Sequence, residues 1–388
     1  MSDTKRRVIK LGGTSVGSAA RLRSSLGIVE ASAAERPIAV VTSALAGVTD
    51  ALVAATAGAA AGRLAVEAFV GSLRERHEAL LRAVATAPET QRTVPALETQ
   101  LGDLENRLRD VTAARAVSPA GRDALLATGE RLAAPLLAAA LRSRGLEGRA
   151  VDSAALVRTD ATFGEAIVDF EATRRLVGAT LGTLAPEVVP VVTGFLGATR
   201  TGDTTTLGRD GSDYTAAILG WALDADCVEI WSDVDGVMSA DPRVVPTAVQ
   251  LPCLSWQEAA SLAERGARVL HPRTIAPLEE AGIPAIIGNA LRPEIPGTRV
   301  AAEPGLGHGR ATAVTSNARA AGTEVVVVGA VGSGGAERAN QALIAAGVSP
   351  REVLPSGDPP ALCTLVAPAE REVAVRALHA AFAISLPG

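Results

Sequence analysis

Three segments rich in glycine and carboxylates lie close together in the middle of the chain: TGFLGA at 193–198, GRDGSD at 208–213 and WSDVDGVMSADPR at 231–243. The first segment follows the apolar run 188–192, and the third continues the apolar run 227–231. Such runs are typical of buried strands, and glycine lets the backbone after a strand approach a ligand closely. Ordinary strand-to-helix turns are the alternative interpretation of any one segment.

Two earlier apolar runs end in small residues as well. The run 8–11 leads into GGTS, and the run 38–41 leads into TSA. A helical pattern with Leu22, Leu26 and Val29 on one face separates them. The order strand, glycine turn, helix, strand predicts a parallel α/β sheet. Because parallel strands end at one common edge, we expect all these clusters to converge there in a ligand site.

The remaining patterns predict two domains, residues 1–300 and residues 310–388. Helical patterns occupy 51–118, 119–145 and 166–184, and a short strand is expected within 149–158. A segment rich in proline and glycine, 293–309, is the expected linker. The C-terminal part has the patterns of a small α+β domain, with strands at 312–316, 324–329 and 362–367 and helices at 335–346 and 370–382.

The composition excludes several classes of function. A chain of 388 residues with 48% hydrophobic and 20% charged residues is typical of a soluble globular protein. The net charge of −5 argues against a nucleic-acid partner. The polar first seven residues predict no signal peptide, and we expect no membrane partner because no apolar run approaches about 20 residues. These features favour a cytoplasmic location.

The basic residues are almost all arginine. Of 37 basic residues only Lys5 and Lys10 are lysine. A lysine at position 10 therefore indicates a site that needs a compact ammonium group and not a planar guanidinium. The three cysteines and four histidines are scattered without metal-ligand spacing, so we predict no protein residues dedicated to a metal.

The stretch 193–243, which contains the three glycine-rich segments, poses an electrostatic problem for a phosphate ligand. Its carboxylates include Asp203, Asp210, Asp213, Asp233, Asp235 and Asp241. Neither a Walker A sequence nor a Gly-x-Gly-x-x-Gly turn is present. Mg²⁺ held through substrate phosphates, together with protein cations, would offset the repulsion of a polyphosphate. The candidate cations are Lys10, Arg209, Arg243 and Arg268, and the chemistry that fits is phosphoryl transfer.

The sequence KLGGTS at 10–15 resembles the signature of aspartate kinases, in which phenylalanine usually stands at the position of Leu11. Further motifs follow in that family's order: GER at 129–131, GRDGSDYTAA at 208–217, SDVDGV at 232–237, DPR at 241–243 and GARVLHP at 266–272. The resemblance covers about residues 7 to 300. It implies a three-layer amino-acid-kinase α/β fold with a mainly parallel central sheet. The α+β domain over 310–388 is then expected to be ACT-like.

The resemblance also implies an activity, the phosphorylation of the side-chain carboxylate of L-aspartate by ATP with Mg²⁺. It implies catalytic roles for Lys10 and Asp213. The implied substrate-binding residues are Ser43, Thr49, Glu130, Phe195, Arg209, Gly211 and Ser212. The implied nucleotide-binding residues are Lys10, Gly12, Gly13, Ser15, Ser232, Asp233, Met238, Arg243 and Arg268. Without the resemblance, Glu130 in an alanine- and leucine-rich helix is more simply interpreted as a surface residue.

Some positions depart from the family pattern. Arg268 stands where lysine is usual, and Met238 stands where tyrosine is common. Residues 310–388 suffice for about one of the two usual ACT domains, and the turn 329–335 lacks the usual Asp-x-Pro-Gly sequence. We therefore expect reduced or absent feedback inhibition in lysine and threonine biosynthesis, and a homodimer formed through this region. The alternatives are a kinase for an aspartate analogue and a catalytically silent regulatory subunit.

Overall fold

The computed structural model describes residues 5–265, 270–302, 311–319, 322–329, 334–351, 353–356 and 361–382. The chain divides into two compact units. The first unit comprises Met1–Asp233 and Ala290–Pro293, and the second comprises Val234–Asn289 and Glu294–Gly388. The predicted domain boundary between 300 and 310 stays a prediction, since residues 303–310 lie outside the described ranges.

The first unit is built on a parallel sheet. Its strands are β1 Arg7–Leu11, β2 Ile38–Thr42, β3 Glu147–Val151, β4 Val188–Thr193, β5 Leu196–Ala198, β6 Thr204–Thr206 and β7 Cys227–Ser232. The parallel order is β3-β4-β2-β1-β7, and β5 with β6 forms a separate hairpin. In register, Leu11 lies between Thr42 and Trp231, and Thr42 also faces Thr193. The exits of β1, β2, β4 and β7 therefore lie side by side, as the sequence predicted.

Helices cover this sheet, and several begin at residues suited to capping. They are α1 Gly13–Val16, α2 Ala19–Glu35, α3 Val48–Ala60, α4 Val66–Val84, α5 Ala87–Ala114, α6 Pro119–Leu126, α7 Thr128–Arg142, α8 Phe170–Thr180 and α9 Gly211–Ala222. Ser18 caps α2 by accepting a hydrogen bond from the Arg21 amide. The helix expected over 119–145 is divided at Ala127 into α6 and α7.

The core of the first unit is aliphatic. Leu22, Leu97, Leu132 and Leu137 are buried among alanine and valine, as expected from an aromatic share of 2%. The segment Pro119–Arg142 is long and apolar enough to cross a membrane, which contradicts the expectation that no run approaches this length. In its most apolar window 89% of the residues are buried inside the protein, which is typical of a core helix.

The second unit contains three short paired strands and a four-stranded antiparallel sheet. Its strands are β8 Cys253–Ser255, β9 Ala285–Asn289, β10 Thr298–Ala301, β11 Ala311–Arg319, β12 Gly322–Gly329, β13 Leu354–Ser356 and β14 Ala361–Val366. Its helices are α10 Trp256–Glu264, α11 Pro272–Ala281, α12 Gly335–Ala345 and α13 Arg371–Ala381. β10 pairs with β8 in parallel and with β9 antiparallel, and the other sheet has the order β11-β12-β14-β13. The predicted combination of a mainly parallel sheet with a small α+β region is confirmed.

Candidate active site

A lysine and an aspartate form an ion pair where β1 ends. Lys10 on β1 is 8% exposed, and its Nζ lies 2.5 Å from Oδ1 of Asp213. Asp213 is in the first turn of α9, where the helix dipole favours an acidic side chain. Taking two charges out of water is costly, so a nearly buried pair is weak evidence for stability and better evidence for a functional site.

The glycine turn after β1 is tied to the end of β7. The Gly12 amide donates to the carbonyl of Trp231 at 3.0 Å, and the Ser15 hydroxyl donates to the same oxygen at 3.3 Å. The Gly12 amide, which we expected to contact a phosphate, therefore donates its hydrogen bond to another part of the protein. Ser15 is buried and holds the turn in the same way.

The second glycine of the turn allows a close approach between two strand exits. A Cβ atom on Gly13 would lie only 2.7 Å from the carbonyl oxygen of Ala44, which follows β2. Gly13 also begins α1, so its amide is at the N-terminus of that short helix. A side chain at Gly13 would push apart the two chain segments that border the Lys10 site.

Glu130 lies in the first turn of α7, with only 3% of its surface exposed. Its Oε1 accepts a hydrogen bond from the Ala44 amide at 3.1 Å, while its buried Oε2 has no hydrogen-bond partner in the described part of the chain. Burial raises the pKa of the Glu130 carboxyl to about 8, and the Ala44 bond opposes that shift. A buried carboxyl with one free oxygen is suited to receive a cationic ligand.

Phe195, Gly211 and Ser212 lie together where β4 ends and α9 begins. Phe195 has a φ of 70°, in the left-handed region, and its amide donates to Oγ1 of Thr215 at 2.9 Å. A Cβ atom on Gly211 would lie 2.7 Å from the Phe195 ring. A Cβ atom on Gly194 would lie 2.5 Å from the Ser212 hydroxyl oxygen. Glycine at these two positions therefore permits the β4 exit to contact the start of α9.

Ser43 and Thr49 follow β2. The Ser43 amide donates to the carbonyl of Leu11 at 3.2 Å, which joins the β2 exit to the β1 exit. Thr49 is half-buried in the first turn of α3, after Gly47 in the left-handed conformation with φ 78°. Ser43 directly precedes Ala44, whose amide binds Glu130.

Arg209 precedes α9, and Ser232 and Asp233 lie where β7 ends. The side chain of Arg209 is 78% exposed, and its Nε lies 3.6 Å from Oδ2 of Asp210. Ser232, the last residue of β7, is half-buried, and its carbonyl accepts a hydrogen bond from the Ala290 amide at 2.9 Å. Asp233 is exposed. All three residues lie in the first unit.

The other three expected nucleotide residues are not in the first unit. Met238 forms a β-bridge with Gln250 in the second unit. Arg243 forms a two-pronged ion pair with Asp241, at 3.0 and 2.8 Å, and this bond lowers the pKa of the Asp241 carboxyl. Arg268, with most of its motif, lies outside the described residues.

Sequence reasoning missed the backbone groups of Ala44 and Trp231. The amide of Ala44 holds Glu130, and the carbonyl of Trp231 holds the glycine turn. Backbone groups leave no signature of residue type, although small residues after an apolar run could have indicated them. Within the ranges that the structure describes, no group of three or more His, Cys, Asp or Glu residues could hold a metal ion.

Comparison with known proteins gives relatives with named activities. The lysine-sensitive aspartokinase 3 of Escherichia coli is 37% identical over 300 residues, which cover 76% of this chain and 63% of that protein. The chloroplastic aspartokinase 1 of Arabidopsis thaliana is 35% identical over 300 residues, which cover 75% of this chain and 51% of that protein. The matched part thus spans about half to two thirds of these relatives.

A solved structure agrees over a longer range. The crystal structure of E. coli aspartokinase III in complex with aspartate and ADP matches with a TM-score of 0.82 and 26% identity. The match covers 97% of this chain and 99% of that chain. The model of the amino acid kinase family matches residues 5–289, well over half of the sequence. The chain belongs to the amino acid kinase family.

Proposed function

We propose that this protein is an aspartate kinase, which transfers the γ-phosphoryl group of ATP to the side-chain carboxylate of L-aspartate. A carboxylate oxygen attacks the γ-phosphorus, the bond from that phosphorus to the β,γ-bridging oxygen breaks, and ADP leaves with the bond's electrons. The products are 4-phospho-L-aspartate and ADP. The observation that carries the proposal is the Lys10–Asp213 ion pair at the same sheet edge as a buried carboxyl, Glu130.

The arrangement of charges suits this substrate. A side-chain carboxyl has an ordinary pKa of about 4, so the nucleophile is ionised at neutral pH without a general base. The remaining task is to neutralise charge on the transferring group, and a fixed ammonium achieves that electrostatically. In this proposal Lys10 neutralises the γ-phosphoryl group, and Asp213 keeps the Lys10 ammonium in position.

Two groups are proposed to recognise the amino acid. The free Oε2 of Glu130 accepts the substrate ammonium, and the guanidinium of Arg209 binds the α-carboxylate. The pocket wall comprises Ser43, Thr49, Phe195, Gly211 and Ser212. Glu130 is held in advance by Ala44, whereas Arg209 is exposed and would be ordered when substrate binds.

The nucleotide is proposed to bind across the glycine turn. The amide of Gly13 faces the phosphates, while Gly12 and Ser15 fix the turn through Trp231. The proposed further contacts are Ser232, Asp233, Met238, Arg243 and Arg268. Mg²⁺ would neutralise phosphate charge when bound. It fits this chain as an ion carried by the nucleotide phosphates, since the described residues contain no carboxylate cluster to hold it.

The deciding experiment is a coupled assay of ADP release with L-aspartate, ATP and Mg²⁺. We expect turnover that depends on aspartate and a product trapped by hydroxylamine as a hydroxamate, the reaction of an acyl phosphate. Hydrolysis of ATP at the same rate without aspartate would contradict the proposal. The absence of turnover with every amino acid would favour the silent regulatory subunit, although the Lys10 pair argues against it.

We propose that residues 1–300 form the catalytic domain and that residues 310–388 form an ACT-like domain through which two chains associate. We also propose reduced or absent feedback inhibition in a cytoplasmic enzyme of lysine and threonine biosynthesis, because the turn 329–335 lacks the family's usual Asp-x-Pro-Gly sequence. Millimolar lysine or threonine should change the rate by less than about twofold. Strong inhibition by either amino acid would contradict this part, and light scattering of the full chain tests the dimer.

The exposure of Arg209 favours a second candidate, a kinase for a modified aspartate. A contact to the α-carboxylate that is not held in advance discriminates less strongly against substituted substrates. Specificity constants for L-aspartate, 3-substituted aspartates and L-glutamate would decide. A preference of more than tenfold for an analogue would replace aspartate as the proposed substrate.

A further inference from the structure

Ser239, next to the proposed nucleotide residue Met238, forms hydrogen bonds with separate segments of the second unit. It is fully buried, and its amide donates to the carbonyl of Val249 at 2.8 Å. Its hydroxyl accepts from the Val249 amide at 2.9 Å, and its carbonyl accepts from the amide of Val314 on β11 at 2.8 Å. The backbone and side chain of this one serine thus bind two other parts of the chain.

A histidine from the last helix also contacts Ser239. Nε2 of His379 on α13 lies 3.0 Å from Oγ of Ser239, and the His379 side chain is buried. The serine hydroxyl can accept from Val249 and still exchange a hydrogen bond with the imidazole. His379 lies 140 positions from Ser239 in the chain, so this bond is tertiary and not part of a local turn.

Apolar packing strengthens the same connection. Ala240, Val244 and Val245 belong to one buried cluster with residues of the C-terminal sheet and helices, among them Val327 and Leu378. Close to the cluster, the carbonyl of Val244 accepts a hydrogen bond from Arg376 on α13 at 3.5 Å. Segment 237–245, which carries Met238 and Arg243, therefore packs on α13 both by its backbone and by its side chains.

We propose that the C-terminal region of this protein positions the nucleotide-contacting segment 237–245 through the Ser239–His379 pair. This inference rests on the proposed nucleotide role of Met238 and Arg243. His379 is then a positioning residue: it touches no substrate but fixes the serine that precedes the Asp241–Arg243 turn.

A purely structural role for His379 is the alternative, and the chain offers a matched control for it. His77 on α4 is also buried, and its Nδ1 lies 2.7 Å from the Leu73 carbonyl oxygen of its own helix. His77→Leu and His379→Leu both remove a buried imidazole. Only the second should affect segment 237–245, so the pair separates general destabilisation from loss of positioning.

The test uses the full chain and measures KM for ATP and for aspartate, with MgADP affinity from calorimetry. We expect His379→Leu and Ser239→Ala to raise the ATP KM and the MgADP Kd by about fivefold to twentyfold, while the aspartate KM changes less than twofold. His379→Gln, which can replace the Nε2 contact, should restore most of the affinity. Hydrogen exchange at the Val249 amide should be faster in both damaging variants.

Each result decides the proposal. Equal rises in both KM values, the same effect from His77→Leu, or unchanged MgADP affinity in folded His379→Leu and Ser239→Ala proteins would overturn it. The proposed activity fails separately: a wild type that binds MgADP but shows no turnover with aspartate would overturn the kinase assignment, and the MgADP measurements would still test the pair. A wild type without MgADP affinity would overturn both.

Discussion

Oε1 of Glu130 accepts a hydrogen bond from the amide of Ala44, while Oε2 of the same carboxyl is buried without a partner among the described residues. One bond thus fixes the orientation of the side chain, and the second oxygen is left for a ligand. Burial disfavours the ionised form of this carboxyl and raises the pKa of Glu130 to about 8. A cation at Oε2 would reverse this shift.

Binding of a substrate ammonium should therefore release a proton from Glu130. Because the pKa of about 8 lies above neutral pH, the free carboxyl is mostly protonated at pH 6.5 and becomes ionised as the pH rises. The aspartate KM should fall by about fifteenfold between pH 6.5 and 8, since the ionised fraction of a carboxyl with a pKa of about 8 rises from about 3% to about 50% over that range. Steady-state kinetics at constant ionic strength measures this.

The same series on Glu130→Gln supplies the control for pH effects elsewhere. The amide has no titrating proton, so we expect a high aspartate KM that hardly changes over this range, with the ATP KM within about twofold of the wild type. A pH profile that is the same in both proteins would show that another group is responsible.

Lys10 should not tolerate replacement by arginine, although almost every other basic residue of this chain is arginine. Lys10→Arg places a larger planar group beside Asp213, so kcat should fall by at least about a hundredfold, the effect of losing one preorganised electrostatic contact. Lys10→Ala should abolish turnover. Lys5→Arg is the matched control, because Lys5 is exposed and is the other lysine of the chain. Retention of most of the rate in Lys10→Ala would disprove the catalytic assignment.

The two members of the ion pair should be coupled in stability. Asp213→Asn leaves the Lys10 ammonium unpaired at a nearly buried position and should lower the free energy of unfolding by about 2 kcal/mol. Lys10→Met should have a cost of similar size. In the double variant no unpaired charge remains, so its loss should be well below the sum of the two. Urea unfolding measures all four proteins, and simple additivity would mean that the pair contributes little to stability.

Replacement of Gly13 should destabilise the protein, because there is no room for a side chain at this position. In Gly13→Ala the new methyl group would lie 2.7 Å from the Ala44 carbonyl oxygen, so the β1 and β2 exits must separate. We expect a loss of about 1–3 kcal/mol in unfolding free energy and a weaker aspartate affinity, because the displaced Ala44 also holds Glu130.

Gly27→Ala is the opposite case and serves as the control. Gly27 lies inside α2 with nothing within 4 Å of its added Cβ atom, so alanine should stabilise the helix by about 0.5–1 kcal/mol. Thermal unfolding of both variants tests the contrast. A Gly13→Ala protein as stable as the wild type would show that the two exits can shift at little cost.

The sequence predicted which strands end at a common edge of the sheet, but it did not predict that Glu130 is buried there. Apolar runs followed by small residues indicated β1, β2, β4 and β7, and the shared edge follows from their parallel register. The burial of Glu130 could not be inferred from local pattern, because it arises where the start of α7 packs under Ala44. Its role came from the resemblance of its motif to a family.

The missed features share a physical cause. The break between α6 and α7 at Ala127 and the tertiary bond of His379 to Ser239 depend on packing between distant segments. Helical periodicity runs through 119–145 without interruption, and an isolated histidine on an apolar helix face resembles any core residue. By contrast, the capping box at the start of α10, in which the side chains of Ser255 and Glu258 accept hydrogen bonds from each other's amides, is a local pattern of the sequence.

Glu130 should also make the stability of the protein depend on pH in a defined direction. The folded pKa of about 8 lies above the ordinary value of 4.5, so between these values the unfolded chain is ionised while the folded carboxyl keeps its proton. Glu130 therefore stabilises the fold fully below pH 4.5, and this contribution is lost as the pH rises to 8, at up to about 1.4 kcal/mol per unit.

Urea unfolding at pH 5.5, 6.5 and 7.5 should give a steeper decline in the wild type than in Glu130→Gln. Glu75→Gln removes one exposed carboxyl from α4 and controls for net charge, so it should keep the wild-type slope. Parallel slopes in wild type and Glu130→Gln would mean that the buried carboxyl is already ionised at neutral pH, and the proton release on aspartate binding would then disappear as well.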